Sequence, residues 1–202
     1  MSGPTSPEQA INQALVRLGY PEYLGSIWDG TRQARAALQI YGQTRDQFLR
    51  QDDFDFAERN VVMTLLKQAP PGGYIPPVVW STAYPSLPWM YSYAYPSDCL
   101  KVRAIRGQAL FVFDFDPGPV VYVVENDNSY TPARKVINCN IPSAILTYTG
   151  QITDLTSWEP DSVEAFIAQL AARLAPALRP ELLRAAAEDE MQSFATAEKE
   201  QG

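Results

Sequence analysis

The sequence predicts an α+β fold, in which an antiparallel helical bundle built from both chain ends carries a small inserted antiparallel β unit. Three observations predict it. Apolar residues recur at helical spacing near the N-terminus and again from Val163 to Leu178. From Leu100 to Tyr148, short β-branched runs alternate with turn residues. The run Pro70-Pro71-Gly72-Gly73 separates the first helical stretch from the rest of the chain.

Residues 1–70 are expected to form the N-terminal helices of the bundle. The first helix begins near Pro7 and ends at Gly19, and the second begins near Asp29 or Thr31. A third helix, ending before Pro70, is indicated by Phe56, Val61, Val62, Leu65 and Leu66. The apolar stripes of the first two helices contribute to the predicted helical core Leu15, Leu38 and Tyr41.

Residues 71–98 form a loop rich in proline and aromatic side chains. So many prolines argue against a helix or a central strand, although a strand is expected near Trp89 to Tyr93. The aromatic rings could stack on nucleobases, but no basic residue lies between Gln68 and Leu100. Packing in a core or an interface is therefore the favoured interpretation.

The inserted β unit is expected over residues 99–152, with strands at 100–105, 110–115, 120–125, 135–138 and 145–148. A core C-terminal helix comes next, over residues 153–179, and it contributes Phe166, Leu170 and Leu174 to the helical core. Pro176 is expected to kink or interrupt that helix. The last segment, 180–202, has apolar residues too sparse to pack strongly against its own domain.

The composition argues against several classes of function. The 202 residues include 16 basic and 23 acidic side chains, a net charge of −7, which disfavours a protein that holds DNA through its phosphates. Histidine is absent, so the commonest general base and metal ligand are missing. The two cysteines, Cys99 and Cys139, are expected to be reduced and buried. Neither a signal peptide nor a membrane span is expected.

Three groups of carboxylates are candidate sites. Asp52, Asp53 and Asp55 lack the glycine spacing of a calcium loop, so a solvated turn is favoured. Asp114 and Asp116 alternate with phenylalanines, as in a half-buried strand. The run Glu125-Asn126-Asp127-Asn128-Ser129 could begin a cation loop, but a hairpin turn explains it more simply. We therefore predict no catalytic, metal or cofactor site.

Four segments of the chain resemble one protein family. They are Asn12-x-Ala14-Leu15-x-x-Leu18-Gly19; Tyr41-x-x-x-Arg45-Asp46-x-x-Leu49-Arg50 with Phe54-x-Phe56-Ala57-x-Arg59; Trp89-x-Tyr91-x-Tyr93-x-Tyr95-Pro96-x-Asp98-Cys99-Leu100-x-Val102; and Tyr148, Ile152-Thr153-Asp154, Trp158-x-Pro160, Phe166 and Leu170-Ala171-x-x-Leu174-Ala175. Together they resemble the tail tubular protein A family of phage head-to-tail adaptors, which is related to the head-completion proteins of short-tailed phages. Phe54 stands where the family often has Trp, and the 74–88 stretch is longer than the usual linker.

The resemblance implies a non-enzymatic ring of about twelve copies at the head-tail junction of a virion, assembled in the host cytoplasm. The ring would sit under the portal protein, extend the DNA channel without specific DNA binding, and dock a tail nozzle, tail tube or neck protein. We assign portal binding to the C-terminal arm, through Leu182, Leu183, Met191 and Phe194, and we expect a tail-facing loop at Asp127, Asn128 and Tyr130.

Two alternatives to this function stay open. A cell-wall hydrolase of the virion would need paired carboxylates, supplied by Asp114 and Asp116 or by the cluster from Asp52 to Asp55. A neck or tail-terminator protein of another fold would serve the same junction without belonging to the family.

Overall fold

The chain divides into two units, one formed by Met1–Ala57 with Gln151–Gly202 and the other by Glu58–Gly150. The computed structural model of the chain describes residues 4–20, 23–107 and 120–179. The first unit holds all three helices of the described residues, and the second holds all of their strands.

Local capping explains where the helices of the first unit begin. Helix α1 spans Pro7–Arg17, with Pro7 in its first turn and the Ser6 hydroxyl accepting a hydrogen bond from the Gln9 amide. Helix α2 spans Arg32–Gln51, and the Thr31 hydroxyl caps it in the same way. Helix α3 spans Pro160–Leu178 and packs against both α1 and α2. The chain leaves α1 through Gly19, which has a φ of +77°.

Seven strands form two antiparallel sheets in the second unit. They are β1 (Glu58–Val62), β2 (Leu65–Gln68), β3 (Tyr91–Ala94), β4 (Cys99–Arg106), β5 (Tyr122–Asp127), β6 (Arg134–Cys139) and β7 (Ile145–Gly150). The three-stranded sheet has the order β1-β7-β4, and the four-stranded sheet has the order β2-β3-β6-β5. One apolar core takes side chains from both sheets, among them Tyr93, Ile105, Ile137 and Leu146. Both cysteines lie in this core as free thiols, which confirms that prediction.

The predicted helical bundle with a small β insertion is wrong. The structure is α+β, but its described residues form only three helices, and two sheets fill the unit Glu58–Gly150. The β unit predicted over residues 99–152 is therefore too short at its start, and the loop predicted over 71–98 belongs to the sheet-bearing unit.

The difference arises mainly at the third predicted helix, whose residues form β1 and β2. The apolar residues from Val61 to Leu66 fit a helical period as well as they fit two short strands. Pairing across the sheet decides the matter, because β1 lies antiparallel to β7 with Arg59 opposite Tyr148. In addition, the Thr147 hydroxyl lies 2.6 Å from the side-chain oxygen of Asn60. Strand pairing outweighs a local preference of well under one kcal/mol per residue.

Two further expectations about the helices need correction. Leu38, predicted in the helical core, is 40% exposed. The buried face of α2 runs through Ala34, Ala37 and Phe48, and Leu38 is rotated about 100° away from Ala37. Of the kink or interruption expected at Pro176, the interruption does not occur, because α3 continues through Pro176 and ends at Leu178. The kink stays a prediction.

Candidate functional site

Four polar side chains form a row across one face of the four-stranded sheet. Directly opposite residues share a face, and Lys67 pairs with Ser92, Ser92 with Asn138, and Asn138 with Val123. Glu125 follows Val123 by two positions, so it points to the same side. We call Lys67, Ser92, Asn138 and Glu125 the polar row. Ser92 and Asn138 are each only 1% exposed, so this row is largely withdrawn from water.

The loop of residues 69–90, which joins β2 to β3, bonds to the polar row. The Lys67 ammonium donates to the Thr82 carbonyl at 2.8 Å. The Ser86 hydroxyl donates to Glu125 Oε1 at 2.6 Å, and the Asn138 amide donates to the Ser86 oxygen at 3.0 Å. Asn138 also donates to Glu125 Oε1 at 2.6 Å. These bonds explain the proline-rich stretch: it covers a buried polar surface of its own sheet.

Internal contacts give this loop a defined shape. The Tyr74 hydroxyl and the Trp80 indole nitrogen both donate to the Pro85 carbonyl, at 3.0 and 2.7 Å. The Tyr74 and Tyr84 rings meet edge to face, with centroids 6.0 Å apart. The shared carbonyl acceptor and the edge-to-face ring contact stabilise one conformation of the loop, although it has no regular secondary structure.

A cavity of about 320 Å³ lies between the loop and the polar row. Trp80, Thr82, Tyr84 and Ser86 line it from the loop, and residues 125–129 line it from the end of β5 and the turn beyond it. Its size is at the lower end of the range for small-ligand sites, on the order of 300–1,000 Å³. Its lining mixes aromatic rings, two carboxylates, an ammonium group and amides, which suits a polar ligand with a flat face.

The electrostatics of the cavity centre on Lys67. Its ammonium pairs with the Asp127 carboxylate, donates to the Ser129 hydroxyl at 2.7 Å, and lies 5.2 Å from the centroid of the Tyr130 ring. Burial acts to raise the pKa of Asp127, but hydrogen bonds from Lys67 and Ser129 outweigh burial and lower it below its ordinary value. Asp127 therefore stays ionised at neutral pH and does not suit the role of a general acid.

One buried atom of the site is unsatisfied. Asn138 Oδ1 has no hydrogen-bond partner among the described residues. Its neighbours fix the orientation of the amide, because Glu125 Oε1 is a carboxylate oxygen and must receive the NH2 group. A buried carbonyl oxygen without a donor costs free energy, so a donor from outside the described residues would be stabilising here.

Aromatic residues of the second and fourth resembling segments form a cluster in the first unit, together with Phe48. The Phe48 ring stacks on Phe54 at 5.0 Å and on Trp158 at 5.6 Å, and Trp158 lies 5.1 Å from Phe56 and 5.4 Å from Phe166, measured between ring centroids. The second and fourth resembling segments are therefore joined by direct packing. Next to this cluster, Asp46 accepts from Arg45 and Gln151.

The resembling residues of the second unit meet at Asp98. Its carboxylate accepts a hydrogen bond from Arg59 at 2.8 Å and one from the Tyr148 hydroxyl at 3.1 Å. Burial, together with the weaker effect of the Asp98 contact, raises the pKa of Tyr148, which therefore stays protonated as a donor. A side chain at Gly150 would have its Cβ 2.6 Å from Arg59 Cδ, so glycine at this position leaves room for the arginine.

The structure distributes the predicted site residues unevenly. Leu15, Phe166, Leu170 and Leu174 are buried, and Tyr41 is half-buried with its hydroxyl lacking a partner among the described residues. Burial raises the pKa of Tyr41 to about 12. Of the predicted tail-facing loop, Asp127 and Asn128 line the cavity and Tyr130 lies beside Lys67. The portal-binding residues Leu182, Leu183, Met191 and Phe194 lie outside the described residues.

Of the carboxylates proposed for the alternative sites, the structure describes those from Asp52 to Asp55, which lie in a turn. The Asp53 amide donates to Asp52 at 2.7 Å, as in a turn, and Asp55 opens the short 3-10 turn Asp55–Ala57. Asp114 and Asp116 lie outside the described residues. Within residues 4–20, 23–107 and 120–179, no group of three or more histidines, cysteines or acidic residues could hold a metal ion. No helix in these ranges is long and apolar enough to cross a bilayer.

Sequence reasoning missed Lys67, Ser86 and Asn138. Lys67 falls within the third predicted helix, and Asn138 is only one polar position of a predicted strand. A usable signal was present: Asn138 stands between Ile137 and Cys139, and Ser92 between two tyrosines, so each strand alternates apolar and polar residues. The alternation identifies a polar face, but it does not show that a loop covers that face.

No protein-family model matches the chain, and among curated proteins no match to it is found.

Proposed function

We propose that the chain is a structural, non-enzymatic head-to-tail adaptor of a tailed bacteriophage. In this role it forms a ring of about twelve copies under the portal, extends the DNA channel and docks the tail. The observation that carries the proposal is the way the resembling residues interact. Segments far apart in the sequence meet through Phe56 and Trp158 in one unit and through Asp98 in the other. The residues on which the resemblance rests are therefore in contact with one another in the folded chain, which is why we take them together.

Exposed apolar side chains also support an assembling protein. Tyr23 and Trp28, in the connection between α1 and α2, are 74% and 75% exposed, and Val79 in the loop over the sheet is 82% exposed. Large apolar groups concentrated in connections are typical of surfaces that other chains cover. The net charge of −7 supports a channel wall that repels DNA phosphates and lets the genome slide.

The test combines the full chain with the portal protein of the virus that encodes it. Electron microscopy of the mixture should show a ring with the symmetry of the portal, stacked on one end of the portal ring. The portal alone and the adaptor alone provide the controls. A chain that stays monomeric and sediments separately from assembled portals would rule the proposal out.

The predicted portal-binding arm can be tested in the same assay. Deleting residues 181–202 should leave a folded protein whose thermal midpoint is nearly unchanged, because no core residue is predicted there. The truncated protein should no longer bind portals, since about twelve arms acting together would supply most of the avidity. Undiminished portal binding would move the contact to the rest of the chain.

A further inference from the structure

We propose that the cavity between the loop of residues 69–90 and the polar row binds an arginine side chain presented by another protein chain. The proposal concerns the sheet-bearing unit alone and does not depend on the adaptor function. It rests on a comparison of the hydrogen-bond donors and acceptors that line the cavity.

The nitrogen donors of Lys67, Trp80 and Asn138 are all engaged. An ammonium group has three N–H bonds, and that of Lys67 reaches the Thr82 carbonyl, the Ser129 hydroxyl and the Asp127 carboxylate. The two N–H bonds of the Asn138 amide go to Ser86 and to Glu125. The Trp80 indole donates to the Pro85 carbonyl. A ligand rich in acceptors, such as a phosphate or a carboxylate, would find none of these nitrogens free.

The acceptors of Asn138 and Glu125, by contrast, are not all used. Asn138 Oδ1 is buried and has no partner within the described residues. Glu125 receives both of its hydrogen bonds on Oε1, so its second oxygen keeps its full acceptor capacity. Asp127 is neutralised by Lys67, but no cation of the described residues pairs with Glu125. The lining of the cavity thus includes one carboxylate, that of Glu125, which no cation of the described residues neutralises.

A guanidinium group has the complementary properties. It carries a positive charge and five N–H donors in a plane, and it accepts no hydrogen bonds. The Trp80 and Tyr84 rings line the same cavity, and guanidinium planes stack favourably on aromatic faces. Trp80 is 43% exposed, so an incoming side chain can reach it from solvent. An ammonium would satisfy the charge and could lie over a ring, but it lacks a planar face that stacks on the ring and the paired donors that a carboxylate receives side by side. A sugar would leave the charge of Glu125 without a partner.

The test uses the 15N-labelled full chain and two small probes, N-acetyl-arginine methylamide and its neutral analogue N-acetyl-citrulline methylamide. The arginine probe should shift the side-chain amide signals of Asn138 and the backbone amides of Ser86 and Glu125 in a saturable way. The citrulline probe should bind at least about tenfold more weakly, because it lacks the charge that a carboxylate-paired donor supplies.

Two variants locate the interaction. Glu125→Gln keeps an oxygen for Ser86 and Asn138 but replaces the free acceptor by an NH2 group, so arginine-probe binding should weaken at least about tenfold. Glu8→Gln removes the same charge from α1 in the other unit and should leave binding unchanged. Trp80→Leu should weaken binding about threefold through the lost ring face. If Glu125→Gln does not fold, the proposal is tested by Trp80→Leu and by the comparison of the arginine and citrulline probes on the wild type.

Three outcomes would overturn the proposal: equal binding of the two probes, shifts that map outside the cavity, or shifts produced by N-acetylglucosamine or calcium but not by the arginine probe. The source of the arginine is decided by sedimentation of the wild type and Glu125→Gln. Weaker self-association of the variant identifies a second copy of this chain as the donor. Unchanged self-association, with the probe still bound by the wild type, identifies a different protein.

Discussion

Replacing Phe166 by alanine should destabilise the helical unit by about 3–5 kcal/mol. Phe166 is fully buried on α3, and its ring centroid lies 5.6 Å from Tyr41, 5.8 Å from Phe48 and 5.4 Å from Trp158. The alanine variant loses the transfer free energy of the ring and leaves a cavity among aromatic neighbours that cannot all close in on it. The three aromatic contacts, each worth roughly 0.5–1.5 kcal/mol beyond its buried area, are part of this loss.

Urea unfolding monitored by helical circular dichroism measures this loss, because the described helices all lie in the first unit. Phe166→Leu keeps more apolar volume and leaves a smaller cavity, so it should destabilise the unit less than Phe166→Ala does. Leu38→Ala is the matched control, since Leu38 is 40% exposed and its loss should change stability by about 0.5 kcal/mol or less. The reasoning fails if Phe166→Ala shifts the unfolding midpoint no further than Leu38→Ala does.

Three more predictions concern other groups. Burial raises the pKa values of Cys99 and Cys139, so a thiol reagent should label neither at neutral pH until urea unfolds the chain; rapid labelling of the native protein would contradict this. The pKa of Asp127 is lowered in the folded state. The ionised carboxylate therefore stabilises the fold above roughly pH 3.9, and this stabilisation is lost as the pH falls through the pKa of the folded state. Urea midpoints of Asp127→Asn should accordingly decline less on acidification than those of the wild type. Asp52→Asn and Asp53→Asn should preserve infectivity, and cell-wall zymograms of the wild type should stay blank; clearing that either variant abolishes would support the hydrolase alternative.

Local sequence signals were sufficient to locate most of the helices and strands. Pro7 and Gly19 bracket α1, Thr31 precedes α2, and the repeat from Val163 identifies α3. These signals act over a few residues, through caps, backbone conformation and the spacing of apolar groups. They are visible in the sequence because no distant partner is needed to form them.

The remaining features depend on contacts that are distant in sequence. Whether residues 58–68 become helix or strand is decided by β7 and β3, which come tens of residues later. The cavity requires parts of the chain that are distant in sequence to be placed together: the end of β2, the proline-rich loop and β3 on one side, and the end of β5, the turn beyond it and β6 on the other. Burial of a single residue is also hard to predict, as Leu38 shows. Its helix α2 is amphipathic, but the buried face runs through the neighbouring Ala37 rather than through Leu38.

The polar row also restricts how the strands can pair. A slip of β6 by one residue would turn Asn138 toward the apolar core and bring Ile137 and Cys139 under the loop. The shifted register would bury the Asn138 amide without hydrogen-bond partners, and it would also remove the hydrogen bond from Asn138 to Glu125. Both changes raise its free energy. Polar residues in the middle of these strands therefore act against misfolding, because they favour one register of the four strands over shifted registers. Apolar residues alone would separate these registers by a smaller difference in free energy.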